Sequence, residues 1–144
     1  IYSRPANIFV AQFVGSPAMT LAPGKLLNGD GEFARVKLGD GSTIETKVRR
    51  EALPNNAPLR VGLRPEAVRV GGDNQATTKA KVDLVERLGE RTLVYARLAD
   101  GQPITAEDEG YSQVRIGDEV PLRIDGGSAH LFGPDGTGYH GVEA

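Results

Sequence analysis

The chain has no cysteine and no tryptophan, one methionine, two histidines and only 6% aromatic residues in 144 positions. Without cysteine there is no disulfide framework, no thiolate zinc site and no cysteine nucleophile. The two histidines, His130 and His140, do not make a metal centre without a carboxylate cluster to join them. His130, between Ala129 and Leu131, reads as a partly buried structural side chain, and His140, in a glycine-rich tail, as solvated. No apolar run exceeds a few residues, so no segment has the length of a membrane-spanning helix. Neither sign of charge dominates. Lys and Arg number 17, Asp and Glu 19, and the two are interspersed, so no basic face offers itself to nucleic acid or anionic lipid. Scarce aromatics further exclude a barrel that stacks single-stranded bases.

Catalytic signatures are missing too. No G-x-x-x-x-G-K-[ST] loop, G-x-G-x-x-G fingerprint or G-x-S-x-G elbow occurs. "AEDEG" at 106–110 carries three consecutive acids, but adjacent side chains diverge, so it reads as a solvated loop.

Glycine is abundant, with 19 Gly and 9 Pro placed as punctuation. "NGDGE" at 28–32, "GDG" at 39–41, "GGDN" at 71–74, "ADG" at 99–101, "DGG" at 125–127 and "GPDG" at 133–136 are turn signals. Between them lie strand candidates at 33–38, 43–48, 59–63, 67–70, 80–88, 92–98, 120–124 and 129–132. In the fifth, Val82, Leu84 and Leu88 alternate with Asp83 and Arg87, which predicts one buried face. Turns at this spacing point to an all-β chain of small barrels or sandwiches.

The chain also echoes itself. "VKLGDGSTI" at 36–44 returns as "ARLADGQPI" at 96–104, and "VGLRPEAVRV" at 61–70 has a looser counterpart in "VPLRIDGGSAHLF" at 120–132. Two similar five-stranded units are expected, at 18–74 and 75–136, with a tail at 137–144. Units of about sixty residues are marginal alone, so a tandem pair is physically sensible.

Two stretches depart from this pattern. At 1–17, Ser3 and Pro5 suit a helix start, and Phe9 with Phe13 and Val10 with Val14 share one surface. Gly15 and Pro17 then stop the helix. So short and apolar a helix needs a partner to pack on. "GLRPE" at 62–66 is a tight polar motif in which Pro65 biases Arg64 to an extended backbone. It reads equally as a rigid turn with an Arg64–Glu66 ion pair and as a docking corner.

Taken in order, "RPANIFVAQFVGSPAM" at 4–19, "GLRPE" at 62–66, "ERLGERT" at 86–92 and "AHLFGPDG" at 129–136 resemble the C-terminal region of the ATPase subunit of carbohydrate-type ABC importers. That family serves maltose, glycerol 3-phosphate and polyols. The resemblance implies tandem OB-like (TOBE) barrels behind one short N-terminal helix. It also implies a regulatory and dimerisation role without catalysis in this segment. ATP and Mg would belong to a nucleotide-binding domain outside the chain, and so would every catalytic residue. The implied partners are that domain, the permease subunits, a second copy of the chain and, in some members, a regulatory protein. The implied location is peripheral, on the cytoplasmic face of the inner membrane. Residues 1–17, with Phe9, Val10, Phe13 and Val14, then read as the last helix of the ATPase domain and the crossing into the barrels. Arg64 and Glu66, with Gly89, Glu90 and Arg91 of the predicted 89–91 turn, are the candidate interface. The alternative is a free-standing tandem module that binds a small oxyanion through backbone N–H groups and hydroxyls.

Overall fold

The computed structural model describes residues 19–29, 31–53 and 58–140. The expected helix with Phe9, Val10, Phe13 and Val14 lies outside the described residues. Eleven strands follow one another among those described: β1 (Thr20–Leu26), β2 (Phe33–Leu38), β3 (Thr43–Arg49), β4 (Leu59–Leu63), β5 (Val68–Val70), β6 (Thr78–Arg87), β7 (Arg91–Arg97), β8 (Pro103–Glu109), β9 (Glu119–Ile124), β10 (His130–Phe132) and β11 (Gly138–His140). The helical turns among the described residues are three-residue 3-10 segments.

The strands form two units. The first takes the chain up to Leu63 and again from Gly126, and the second takes Arg64–Asp125. In the first, the sheet order is β11-β10-β4-β1-β2-β3, every neighbouring pair antiparallel. Its core follows from simple alternation. Ala34, Val36 and Leu38 of β2 point inward while Arg35 and Lys37 point to solvent, and Ile44, Thr46 and Val48 of β3 do the same. Thr46 is tolerated there because its hydroxyl donates to the Ala34 carbonyl at 2.7 Å.

The second unit is a closed barrel, β5-β8-β7-β6-β9, in which β5 runs antiparallel to β9 and parallel to β8. Closure removes the free strand edges that a small sheet would otherwise expose. Val68, Ala80, Val82, Val94, Ala96, Ile104, Ala106, Leu122 and Ile124 are buried.

The repeat seen in the sequence is structural. β1–β2–β3 with β4 beside β1 corresponds to β6–β7–β8 with β9 beside β6. The two echoing hairpins match bond for bond. Leu38 N–H donates to Ser42 O at 2.8 Å and Leu98 N–H to Gln102 O at 2.9 Å. Asp40 Oδ1 accepts from the Ser42 N–H and Asp100 Oδ1 from that of Gln102. Gly41 and Gly101 hold φ of 92° and 90°, a region that side chains with a Cβ avoid.

The unit boundaries differ from the expected 18–74 and 75–136, because each fifth strand is delivered by the other repeat. β5 follows β4 in sequence but pairs with β9, as Val68↔Ile124 and Val70↔Leu122. β10 follows β9 but pairs with β4, as His130↔Gly62 and Phe132↔Arg60. The segments that cross are the second echoing pair of the sequence. The expected tail at 137–144 also begins as structure, since Gly138–His140 pair with β10 as β11.

The register of β6 departs from its sequence reading. A bulge between Val82 and Leu84 leaves Asp83 without a counterpart on β7, so the phase of alternation changes. Leu84 and Leu88 are consequently 53% and 47% exposed instead of buried. Val85 and Arg87 instead share the face of their ladder partners Val94 and Thr92, Val85 half-buried and Arg87 exposed at the strand end.

The return crossing depends on one glycine. A Cβ on Gly126 would fall 2.1 Å from the Glu45 carbonyl oxygen, a backbone atom held in β3. Gly126→Ala is expected to destabilise the chain by about 2 kcal/mol, the usual scale of overpacking. Gly31→Ala, whose nearest contact would be 3.7 Å, should be nearly neutral. Urea unfolding midpoints check this; equal midpoints for the two variants would refute the close approach.

Candidate functional site

Residues 64–66 leave β4 as a corner whose shape follows from proline. Arg64 is extended, with φ −78° and ψ 152°, and Pro65 starts a 3-10 turn closed by the Ala67 N–H on the Arg64 carbonyl at 2.9 Å. The Asp125 N–H also donates to the Ala67 carbonyl, at 2.8 Å. The side chains divide. Arg64 is only 7% exposed and Pro65 is buried, while Glu66 is exposed. The corner therefore presents Glu66 to solvent and keeps Arg64 inside, so of the two candidate interface charges only Glu66 is exposed.

Gly89, Glu90 and Arg91 form the tip and exit of the β6–β7 hairpin. The Leu88 N–H donates to Arg91 O at 2.9 Å, and Gly89 supplies the positive φ of 89° that so tight a turn needs. Gly110 packs so closely that a Cβ there would fall 2.0 Å from Gly89 O. Glu90 is exposed. Arg91 is not a free interface charge. Its Nη1 lies 3.1 Å from Glu107 Oε2, and Arg69 Nη1 lies 2.9 Å from Glu107 Oε1. Glu109 adds a longer contact to Arg69, at 3.9 Å. The Glu107 side chain is 13% exposed, so its charge needs both guanidinium groups.

β5 and the β6–β7 hairpin thus meet in one unit through Glu107, a residue read from the sequence as part of a solvated loop. "AEDEG" is not a loop. Residues 103–109 are β8, with Ile104 and Ala106 buried and Glu107 and Glu109 on the opposite face. The signal was present as alternation in "PITAEDE", where the apolar residues fall two apart.

The bulge on β6 is pinned from outside. Arg97 donates to both Asp83 oxygens, at 2.7 and 3.2 Å, and this bond holds the Asp83 carboxyl below the usual aspartate range. A depressed carboxylate stabilises the fold above its unfolded pKa. The contribution is lost as pH falls through the lowered value.

His130 and His140 face each other across β10 and β11, with Nδ1 atoms 2.8 Å apart and rings in a T-shaped arrangement. One Nδ1 donates and the other accepts, which fixes opposite roles for the two rings. His130 is buried as expected; His140 is its cross-strand partner and not a solvated tail residue. Among the described residues no group of three or more metal-ligating side chains converges. None of the described glycine turns opens onto an α-helix, the setting in which a glycine-rich loop cradles nucleotide phosphates.

A TOBE domain profile matches residues 61–132, a stretch that begins in β4, includes both crossings and ends with β10. The chain belongs to the TOBE domain family. Its relatives include the alpha-glucoside transport ATP-binding protein AglK of Rhizobium meliloti, 37% identical over 96% of this chain and 38% of the relative. The sn-glycerol-3-phosphate import ATP-binding protein UgpC of Cereibacter sphaeroides is 34% identical over 92% of this chain and 35% of the relative. The xylose/arabinose import ATP-binding protein XacK of Haloferax volcanii is 36% identical over 91% and 34%. This TOBE chain therefore spans little more than a third of the length of these relatives. A solved structure of the cytoplasmic molybdate-binding protein ModG, with molybdate bound, shares its fold at a TM-score of 0.65 and 15% identity. The match covers 77% of this chain and 93% of that one. All-β tandem OB-like barrels are thus the fold of this TOBE chain, as the resemblance implied.

Because Arg91 neutralises Glu107, Arg91→Glu should destabilise the second unit by about 2 kcal/mol, the scale of a lost hydrogen bond to a charged group. Adding Glu107→Arg should recover part of that loss. Thermal melts of the single and double variants check this; additive losses would deny the pairing.

Proposed function

We propose that this chain is the regulatory and pairing region of the ATPase subunit of an ABC importer for sugars, polyols or glycerol 3-phosphate. One observation carries the reading: importer ATP-binding subunits align along 91–96% of the chain while it spans 34–38% of their length. On this reading ATP and Mg are held by the nucleotide-binding domain of the longer protein, and the chain itself is non-catalytic. Its partners are that domain, the permease subunits reached through it, a second copy of the chain and, in some settings, a regulatory protein. It works at the cytoplasmic face of the inner membrane as a peripheral part of the transporter.

Pairing of copies is supported by what the second unit shows to solvent. Leu84, Leu88, Tyr111 and Ile116 are large exposed apolar side chains, and Glu66 and Glu90 are exposed charges beside the candidate corner and hairpin. Such a surface suits a modest, partly polar twofold interface. A charge reversal in a twofold interface acts twice. Glu66→Arg or Glu90→Arg should therefore weaken the dimer by more than the ~1 kcal/mol of one exposed ion pair. Arg91 is a poor probe, since its reversal disturbs Glu107 within one chain. Sedimentation equilibrium over a concentration series is the measurement. A strictly monomeric chain at high concentration would remove the pairing role, and a dimer indifferent to both reversals would remove Glu66 and Glu90 from it.

A second reading, a free-standing oxyanion binder, is favoured by the fold shared with molybdate-bound ModG. Calorimetry with molybdate, tungstate and sulfate separates the two.

A further inference from the structure

The closed barrel has a polar end. An open cleft of about 500 Å³ is lined there by Arg87, Ser112, Gln113 and Arg115. Its first arginine is a product of the bulge. Without the extra residue at Asp83, alternation from Val82 would put Leu84 on the face of Val82 and Arg87 on the other; with it, Arg87 shares the face of its ladder partner Thr92 and stands exposed at the end of β6.

Arg87 organises the loop that forms the rest of the cleft. Its guanidinium donates to the Ser112 carbonyl and, at 3.0 Å, to the Val114 carbonyl. That leaves further N–H groups of the same fork to donate. Ser112 Oγ accepts the Val114 N–H at 3.2 Å, so its own hydroxyl hydrogen is still available. Arg115 is fixed through its backbone, whose N–H donates to Asp118 Oδ2 at 2.9 Å. Its guanidinium is exposed and makes no hydrogen bond or ion pair among the described residues. Two cations and two hydrogen-bonding side chains therefore line the cleft, and no carboxylate is among them. Asp108 stands opposite Thr92 in the ladder but does not line the opening.

The ladder partner of Arg87 is polar as well, though it does not line the cleft. Thr92 is fully buried, and its Oγ1 has no hydrogen-bond partner. A buried hydroxyl without a partner costs stability and calls for an explanation. Its position next to Arg87 in the ladder makes this end of the barrel polar from the interior outward.

We propose that this cleft binds a phosphate-type dianion, as inorganic phosphate or as the phosphate group of a small monoester. Two guanidinium forks match the several oxygens of a phosphate, whereas a lone carboxylate is satisfied by one. The opening leaves space for the remainder of an ester. The site is built by residues 82–118 of this chain and does not depend on the importer reading, so its failure and a failure of pairing are read in different experiments.

Calorimetry of the whole chain at low ionic strength tests it with inorganic phosphate, methyl phosphate and the neutral ester trimethyl phosphate. Saturable one-to-one binding of phosphate or methyl phosphate is expected, with none of trimethyl phosphate. Preference for methyl phosphate would mark an ester site, and preference for phosphate a free-anion site. Arg115→Ala, which removes no internal bond, should weaken binding about tenfold, the loss of one charge-assisted contact. Its thermal midpoint should not change. Arg35→Ala, an exposed arginine of β2 in the first unit, should leave binding intact. Absence of saturable binding by either anion, equal binding of trimethyl phosphate, or an Arg115→Ala variant that binds as before would overturn the proposal.

Discussion

Everything in this chain depends on two short strand pairings between residues far apart in sequence. β10 adds three residues to the edge of β4, and β5 adds three to β9 while also touching β8. Three-residue strands contribute few ladder bonds, yet β5 is what closes the barrel and β10 is what covers the β4 edge of the first sheet. Their strength comes from burial. Val68, Leu131 and Phe132 are fully buried, each removing apolar area worth about 2 kcal/mol from water. Gly62 shows how closely β10 is fitted, since a Cβ there would meet both Phe132 and Met19. The exchange is thus set by packing at a few positions more than by backbone bonding.

Local regularity was legible and non-local pairing was not. Period-two alternation found β2, β3 and the hairpins on either side of Asp40-Gly41 and Asp100-Gly101, because those elements are decided by neighbouring residues. The echo at 61–70 and 120–132 was also legible, and it marks the two crossings. What it could not reveal is that each copy ends on the other's sheet, since both routes share one local pattern. The boundary at 74/75 was displaced for that reason. His140 was misplaced similarly: nothing within "GTGYH" announces that β10 waits ten residues upstream.

The β6 reading shows a different limit. Counting by twos through Val82, Leu84 and Leu88 is sound only if the ladder is unbroken, and one bulged residue inverts all that follows. The inversion puts Val85 and Arg87, in place of Leu84 and Leu88, on the face of Val94 and Thr92. It therefore exposes leucines on one face and gives the barrel end a cation on the other. The candidate interface residues differ in how they meet solvent. Arg64 and Arg91 carry the charges a sequence reader notices, but both are absorbed internally, Arg64 by burial and Arg91 by Glu107. Glu66 and Glu90 remain at the surface. Arginine is well suited to this, because its fork can satisfy a half-buried carboxylate from two sides.

The exchange also bears on how the two units form. Closing the loop between β4 and β10 costs entropy that grows only slowly with the number of intervening residues, so the long separation is tolerable at equilibrium. It is slower kinetically, since distant contacts must be found before they are rewarded. Within Arg64–Asp125 the barrel is nearly local: β6, β7 and β8 form successive hairpins, and β5 and β9 close them. The first unit instead needs residues 126–140, at the far end of that barrel in sequence, before its sheet is complete. Strand order therefore implies a sequence of events. The barrel can close first, and its closure delivers Gly126 and β10 as a short, already constrained segment to the edge of β4. A repeat that looks symmetric in sequence is in this way asymmetric in dependence, with the first unit relying on the completed chain of the second.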